Sequence, residues 1–170
     1  MHVHPAIERL RSEGAPQPHV DAVLAGWRAL PEVGELTHAL AAWGADGAQA
    51  AYGALARLLA SRDAAMALVA ALIDPLADAL RHEPLAQPAI GFSATPGLAR
   101  IRLIERGRAA LSLAVFAPRV RTRPGSVLFE DGEVHELVLE GCGEAVCYRL
   151  GAAGLAQTPL ACVPGTRITR

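Results

Sequence analysis

The sequence predicts an α+β protein, with a helical bundle over residues 1–85 followed by an antiparallel β-sandwich or barrel over residues 86–170. Two changes along the chain support this. Apolar residues recur at helical spacing up to about residue 85 and then alternate with a period of two. Between the two patterns Pro84, Pro88 and Pro96 punctuate a linker, Glu83 to Pro96, in which helical spacing stops.

The helical elements follow in order. Val20, Val23, Leu24 and Trp27, then Leu36, Leu40 and Trp43, mark two helices between Pro18 and Trp43, separated at Pro31, a residue suited to a helix's first turn. Leu55, Leu58 and Leu59 continue the spacing in a third helix, for which Asp46 is the expected N-cap. Met66, Val69, Leu72, Ile73, Leu76 and Leu80 define a fourth after Ser61. Pro75 has no N–H to donate, so it is expected to kink this helix or to restart it with Asp74 as N-cap. Alanine-rich faces permit close helix packing, and the aromatic content of this half is limited to Trp27, Trp43 and Tyr52.

In the second half Leu98, Arg100, Arg102 and Ile104 alternate with Ala99, Ile101 and Leu103. Leu111, Leu113 and Val115 alternate with Ser112, Ala114 and Phe116, as strand residues do. Asp131-Gly132, between Val127-Leu128-Phe129 and Val134 to Leu139, is a two-residue hairpin signal. Gly141-Cys142-Gly143 turns the chain into a strand from Ala145 to Leu150. Further turns fall at Gly151 to Gly154 and at Pro164-Gly165.

Composition narrows the functions. A chain of 170 residues with 52% apolar and 19% charged content can bury a core. Its net charge of −1 argues against a polyanion-binding protein, so nucleic acid is not an expected partner. The charge is uneven: residues 1–88 hold 6 arginines against 10 acids, about −4, and residues 89–170 hold 10 against 7, about +3. All 16 lysine-plus-arginine positions are arginine, which excludes lysine Schiff-base chemistry and the phosphate-binding lysine of a P-loop. The start, Met1-His2-Val3-His4-Pro5, has no basic stretch leading into an apolar one, and the longest uncharged apolar run, Ala64 to Ile73, is too short to span a membrane. No membrane association and a cytoplasmic location are therefore expected. Cys142, Cys147 and Cys162 are poor material for a disulfide framework and suit a reducing compartment.

Candidate site residues concentrate in the second half. Arg121 and Arg123, two apart on one strand, share a face and form a potential carboxylate or phosphate pocket, unless Glu133, Glu136 or Glu144 pairs with them. His135, with Glu136 beside it, is the histidine of this half. With Cys142 and Cys147 it contains the atoms of a soft zinc site, but no Cys-x-x-Cys spacing exists and strand parity disfavours convergence. His2 and His4 offer adventitious metal binding at most. No nucleophile elbow or glycine-rich phosphate loop is present. A helix-turn-helix over Leu40 to Leu59 would read DNA with Gln49 and Tyr52, yet it has no basic residue before Arg57.

Arg121-Thr122-Arg123-Pro124-Gly125 and the later Val138-Leu139-Glu140-Gly141 together resemble the first motif of the cupins, small double-sheet jelly rolls. In that motif a strand carrying His-x-His-Pro-Gly precedes a Val-Leu-Glu-Gly turn. Arg121 and Arg123 stand in the two histidine places, and the resemblance covers about residues 98–170. The stretch from Arg123 to Gly141 is longer than the usual cupin spacing, so the family's glutamate ligand falls near Val134. The second motif is at most echoed in Val163-Pro164-Gly165-Thr166, with no histidine after it. A jelly roll would also need a returning strand beyond Arg170. Because arginine is always protonated and donates no lone pair, the resemblance implies a degenerate cupin without metal, cofactor or catalytic residues.

The expected function is a non-enzymatic module that binds a small molecule, such as an organic anion, through Arg121, Arg123, His135 and Glu136, or that regulates a protein partner. Bacterial regulators that join helical domains to cupins, anti-sigma factors among them, supply the architectural analogy, although the zinc Cys-x-x-Cys of those factors is missing. One alternative is a metal-dependent cupin enzyme of dioxygenase or isomerase type. The other is a structural protein that homodimerises through apolar surface or an open sheet edge.

Overall fold

The computed structural model describes residues 17–46, 52–118, 132–151 and 154–169. Helices come first: α1 Pro18–Arg28, α2 Pro31–Asp46, α3 Tyr52–Ala60 and α4 Arg62–His82. Strands β1 Gly91–Thr95, β2 Leu98–Arg106, β3 Ala109–Phe116, β4 His135–Leu137, β5 Gly143–Gly151, β6 Gly154–Cys162 and β7 Arg167–Thr169 follow. All pairings are antiparallel, and they make three sheets of order β1-β2-β3, β4-β7 and β5-β6. The α+β class is as the sequence predicts, but among the described residues the strands do not close into a barrel.

The helical spacing buries what it should. Val20, Leu24 and Trp27 of α1 face Ala65, Leu68, Leu72, Leu76 and Ala79 of α4, with Val20 and Leu72 fully enclosed. The Trp27 indole N–H donates to the Leu68 carbonyl at 3.2 Å, which satisfies the one polar atom of that buried ring. Ser61 caps α4 by accepting the Ala64 N–H at 3.2 Å. Two details differ from expectation. Asp46 ends α2 instead of capping α3, and α4 runs unbroken through Pro75. Proline removes the hydrogen bond to the carbonyl four residues back, and Ala71 is exposed there, so water can satisfy that carbonyl while Leu72 and Leu76 stay packed.

The start of α1 is held from a distance. The Glu83 carboxylate accepts the backbone N–H groups of His19 and Val20, both at 3.0 Å, and lies 2.7 Å from His19 Nδ1. Burial pushes the Glu83 carboxyl up, but the bonds from His19 and Val20 and the charge of His19 outweigh that and hold it below its ordinary 4.5. Gln87 donates its N–H to Gln17 Oε1 at 2.7 Å, and Arg28 Nη2 donates to the Ala89 carbonyl at 2.7 Å. These bonds fasten the connecting segment to the helices.

That connection is shorter than the proline pattern implies, because β1 occupies its last part. Pro96 and Gly97 form a two-residue turn into β2, with Gly97 at φ 93° as a type II turn requires. In β2 the register shifts between Arg102 and Ile104. This bulge turns Ile104, opposite Leu111, into the helical core, while Arg100 and Arg102 remain on the exposed face. Among the described residues Ile104 is the one strand residue in the buried core, and Leu103, Ala109 and Leu111 pack against its edge. The predicted turns at Gly141 and at Pro164-Gly165 are present, these glycines having φ of 81° and 90°, and Gly151 pairs with Gly154 at the end of the β5-β6 ladder. Of the expected Asp131-Gly132 hairpin, Asp131 and the strand before it, Val127-Leu128-Phe129, fall outside the described residues.

Candidate functional site

The helices and strands meet at a cleft of about 170 Å³ whose lining includes Leu40, Trp43, Leu55, Leu58, Leu111 and His135, together with Ala110, Glu133 and Val134. It forms because α2 packs on β2 and β3 while α3 touches β4. Leucines at helical spacing on α2 and α3 supply one wall. The start of β3 and the approach to β4 supply the other.

His135 is the polar feature of this cleft. Its ring Nε2 lies 2.8 Å from Glu133 Oε1, and its Nδ1 lies 3.2 Å from the hydroxyl of Thr169, the residue paired with it on β7. With a carboxylate on Nε2, that nitrogen carries a proton; Nδ1 then accepts from Thr169, or donates to it when the ring is charged. The Trp43 ring meets the His135 ring edge-on, with centroids 5.4 Å apart at 62°, in the preferred range for such pairs. The histidine side chain is 14% exposed and its glutamate 43%, so one partner is locked in the seam while the other can be exchanged by a ligand. Arg62 of α4 donates from Nε to the Leu139 carbonyl at 2.7 Å, holding the chain after β4 against the helices.

Glu133, His135 and Thr169 stand in the order acid, imidazole, hydroxyl, as in an acyl-transfer triad. Thr169 does not line the cleft, so its oxygen is not presented to a molecule bound there. The arrangement positions a histidine and does not offer a nucleophile.

Of the residues singled out from sequence, His135 is placed in the cleft. Glu136 sits on β4 opposite Ile168, on the other face from His135 by strand parity, and does not line it. Arg121, Arg123, His2 and His4 lie outside the described residues. Cys142, Cys147 and Cys162 are unpaired thiols, and among the described residues no three His, Cys, Asp or Glu side chains gather as metal ligands. In α3, Leu55 and Leu58 face the cleft and Arg57 pairs with Glu35 at 2.9 Å. Trp43, Glu133 and Thr169 were not legible as site residues. Trp43 is 92 positions from His135, and nothing local in sequence announces such a contact. Among the described residues no helix is long and apolar enough to cross a membrane. The chain matches no protein-family description, no curated protein and no solved structure.

Proposed function

We propose that this chain is a non-enzymatic binding module whose cleft takes one small organic molecule and whose occupancy fastens the strands to the helices. The observation that carries this reading is the Trp43–His135 contact in the wall of a cleft otherwise lined mainly by leucines. Size selects the ligand class. A volume of about 170 Å³ is close to the ~150 Å³ that admits benzene and well below the ~300 Å³ of drug-sized sites. A single ring with one polar group fits, whereas a nucleotide or flavin does not. A carboxylate is the favoured polar group, since it can replace Glu133 on His135. The sequence between β3 and β4 carries Arg121 and Arg123, which fit the same preference.

The degenerate-cupin reading of the β half rests on the sequence Arg121-Thr122-Arg123-Pro124-Gly125 taken together with Val138-Leu139-Glu140-Gly141, where a glycine at φ 81° follows β4. A cytoplasmic setting agrees with three unpaired thiols. A regulatory role follows from linkage: a ligand that binds only the assembled seam stabilises it.

Sodium benzoate is the direct probe. At about a hundred times Kd it should add ~2.7 kcal/mol, or roughly 5–10 °C in Tm for a chain of this size. Ala110→Phe, which puts a ring into the cleft from a lining residue at an exposed strand position, should abolish the shift without lowering the ligand-free Tm. If benzoate, phenol and imidazole all leave Tm unchanged, or if Ala110→Phe responds like the wild type, the cleft is not a binding site.

A further inference from the structure

We propose that the free edge of β1 is a docking site for an extended acidic peptide, which adds to the three-stranded sheet as a fourth strand and places carboxylates at alternate positions toward Arg100 and Arg102.

The sheet order leaves β1 paired on one side, to β2, and among the described residues nothing pairs its other edge. All five of its residues are exposed. Natural sheet edges are commonly protected by charge, proline or a covering element. Gly91-Phe92-Ser93-Ala94-Thr95 has neither charge nor proline, whereas β6, also an outer strand, carries Pro159. An unprotected row of backbone donors and acceptors is the template that strand addition uses.

Charge selects the occupant. The register pairs Gly91 with Arg102 and Ser93 with Arg100, so both arginines share one face with two small residues of β1. A Cβ placed on Gly91 would lie 3.0 Å from Arg102 Cβ and 3.7 Å from its Cδ, which shows the arginine stem lying across the glycine. An added strand would run about 10 Å from β2, two strand spacings, and across Gly91 and Ser93 an arginine and a glutamate can close that gap from opposite sides. Arg102 already holds a carboxylate, Glu105 at 2.8 Å, with the pair 49% and 55% exposed and therefore exchangeable. Arg100 has no ion-pair partner among the described residues. From residue 91 to 118 the chain carries four arginines and one glutamate, so the sheet as a whole attracts an anion. On the opposite face Phe92 is 66% exposed, and an apolar residue between the peptide's acids would cover it. The motif is an alternation of acidic and apolar residues in an extended segment.

A fluorescein-labelled peptide alternating glutamate and valine is titrated with the full chain and followed by anisotropy, with hydrogen exchange read by mass spectrometry. Binding should weaken as salt rises from about 0.01 to 0.1 M, and protection should fall on β1. Replacing both arginines, Arg100→Ser with Arg102→Ser, should weaken it at least about tenfold while the thermal transition stays in place. A lysine–valine peptide that binds as well, an undiminished affinity in the double variant, or protection elsewhere in the chain would overturn the proposal. So would an oligothymidylate that displaces the peptide at lower concentration, or a second copy of the chain found occupying β1 in the absence of peptide.

Discussion

Ile104→Ala tests how the strands are attached to the helices. Ile104 is 6% exposed within a core otherwise made by the four helices. Truncation removes three carbons, worth about 2.4 kcal/mol at ~0.8 per buried methylene. The cavity left among packed helices adds to this, and the total should fall near 3 kcal/mol, within the roughly 2–5 observed for such changes. For a chain of this length that lowers Tm by about 6–12 °C. The assay is urea unfolding followed by helical ellipticity and by the fluorescence of Trp27, buried on the α1–α4 contact. The expected result is one shared transition moved to lower urea in both signals. Phe116→Ala, at a strand position 70% exposed, is the control and should change stability by less than about 0.5 kcal/mol. A cost below about 1 kcal/mol for Ile104→Ala, or a helical transition indifferent to it, would refute the view that the sheet is seated on the helical core.

Two further outcomes concern the helix termini. The Glu83 carboxyl is held below its ordinary value, so its contribution is present above the unfolded-state pKa near 4.5 and is lost as pH falls through the lower folded value. Acid unfolding monitored by ellipticity should therefore begin at higher pH in wild type than the same curve shows relative to its own neutral-pH stability in Glu83→Gln, whose pH dependence should be shallower. Equal slopes would show that the carboxylate does not anchor α1. Ser61→Ala removes the α4 cap and should cost about 1 kcal/mol in chemical denaturation, while Ser61→Asp should retain the stability.

Much of the architecture was written locally. The spacing Val20, Leu24, Trp27 and the run Leu68, Leu72, Leu76 specify buried helix faces, and glycine at positions 141 and 165 marks turns that need positive φ. The elements missed are those decided by distant partners. Gly91–Thr95 is short and weakly patterned, and it is a strand because β2 supplies its ladder. Pro75 reads as an interruption, yet α4 continues because the lost bond falls on the solvent side of Ala71. The bulge after Arg102, which sends Ile104 inward, cannot be counted from a strict alternation. In the cleft, His135 was legible as the histidine of the second half, with Glu136 beside it. Its partners were not, because Glu133 reads as a partner for Arg121 or Arg123, Thr169 lies 34 residues away, and Trp43 reads as ordinary helix core.

Side-chain NMR during a benzoate titration reads out whether the seam between helices and strands is a binding cleft. Saturable shifts are expected for the Trp43 indole N–H, the His135 ring protons and the Leu58 and Leu111 methyls, with the Trp27 indole, bonded to the Leu68 carbonyl, unmoved. Shifts confined to exposed strand residues such as Leu150 and Leu155, or an unresponsive Trp43 indole at saturating benzoate, would contradict it.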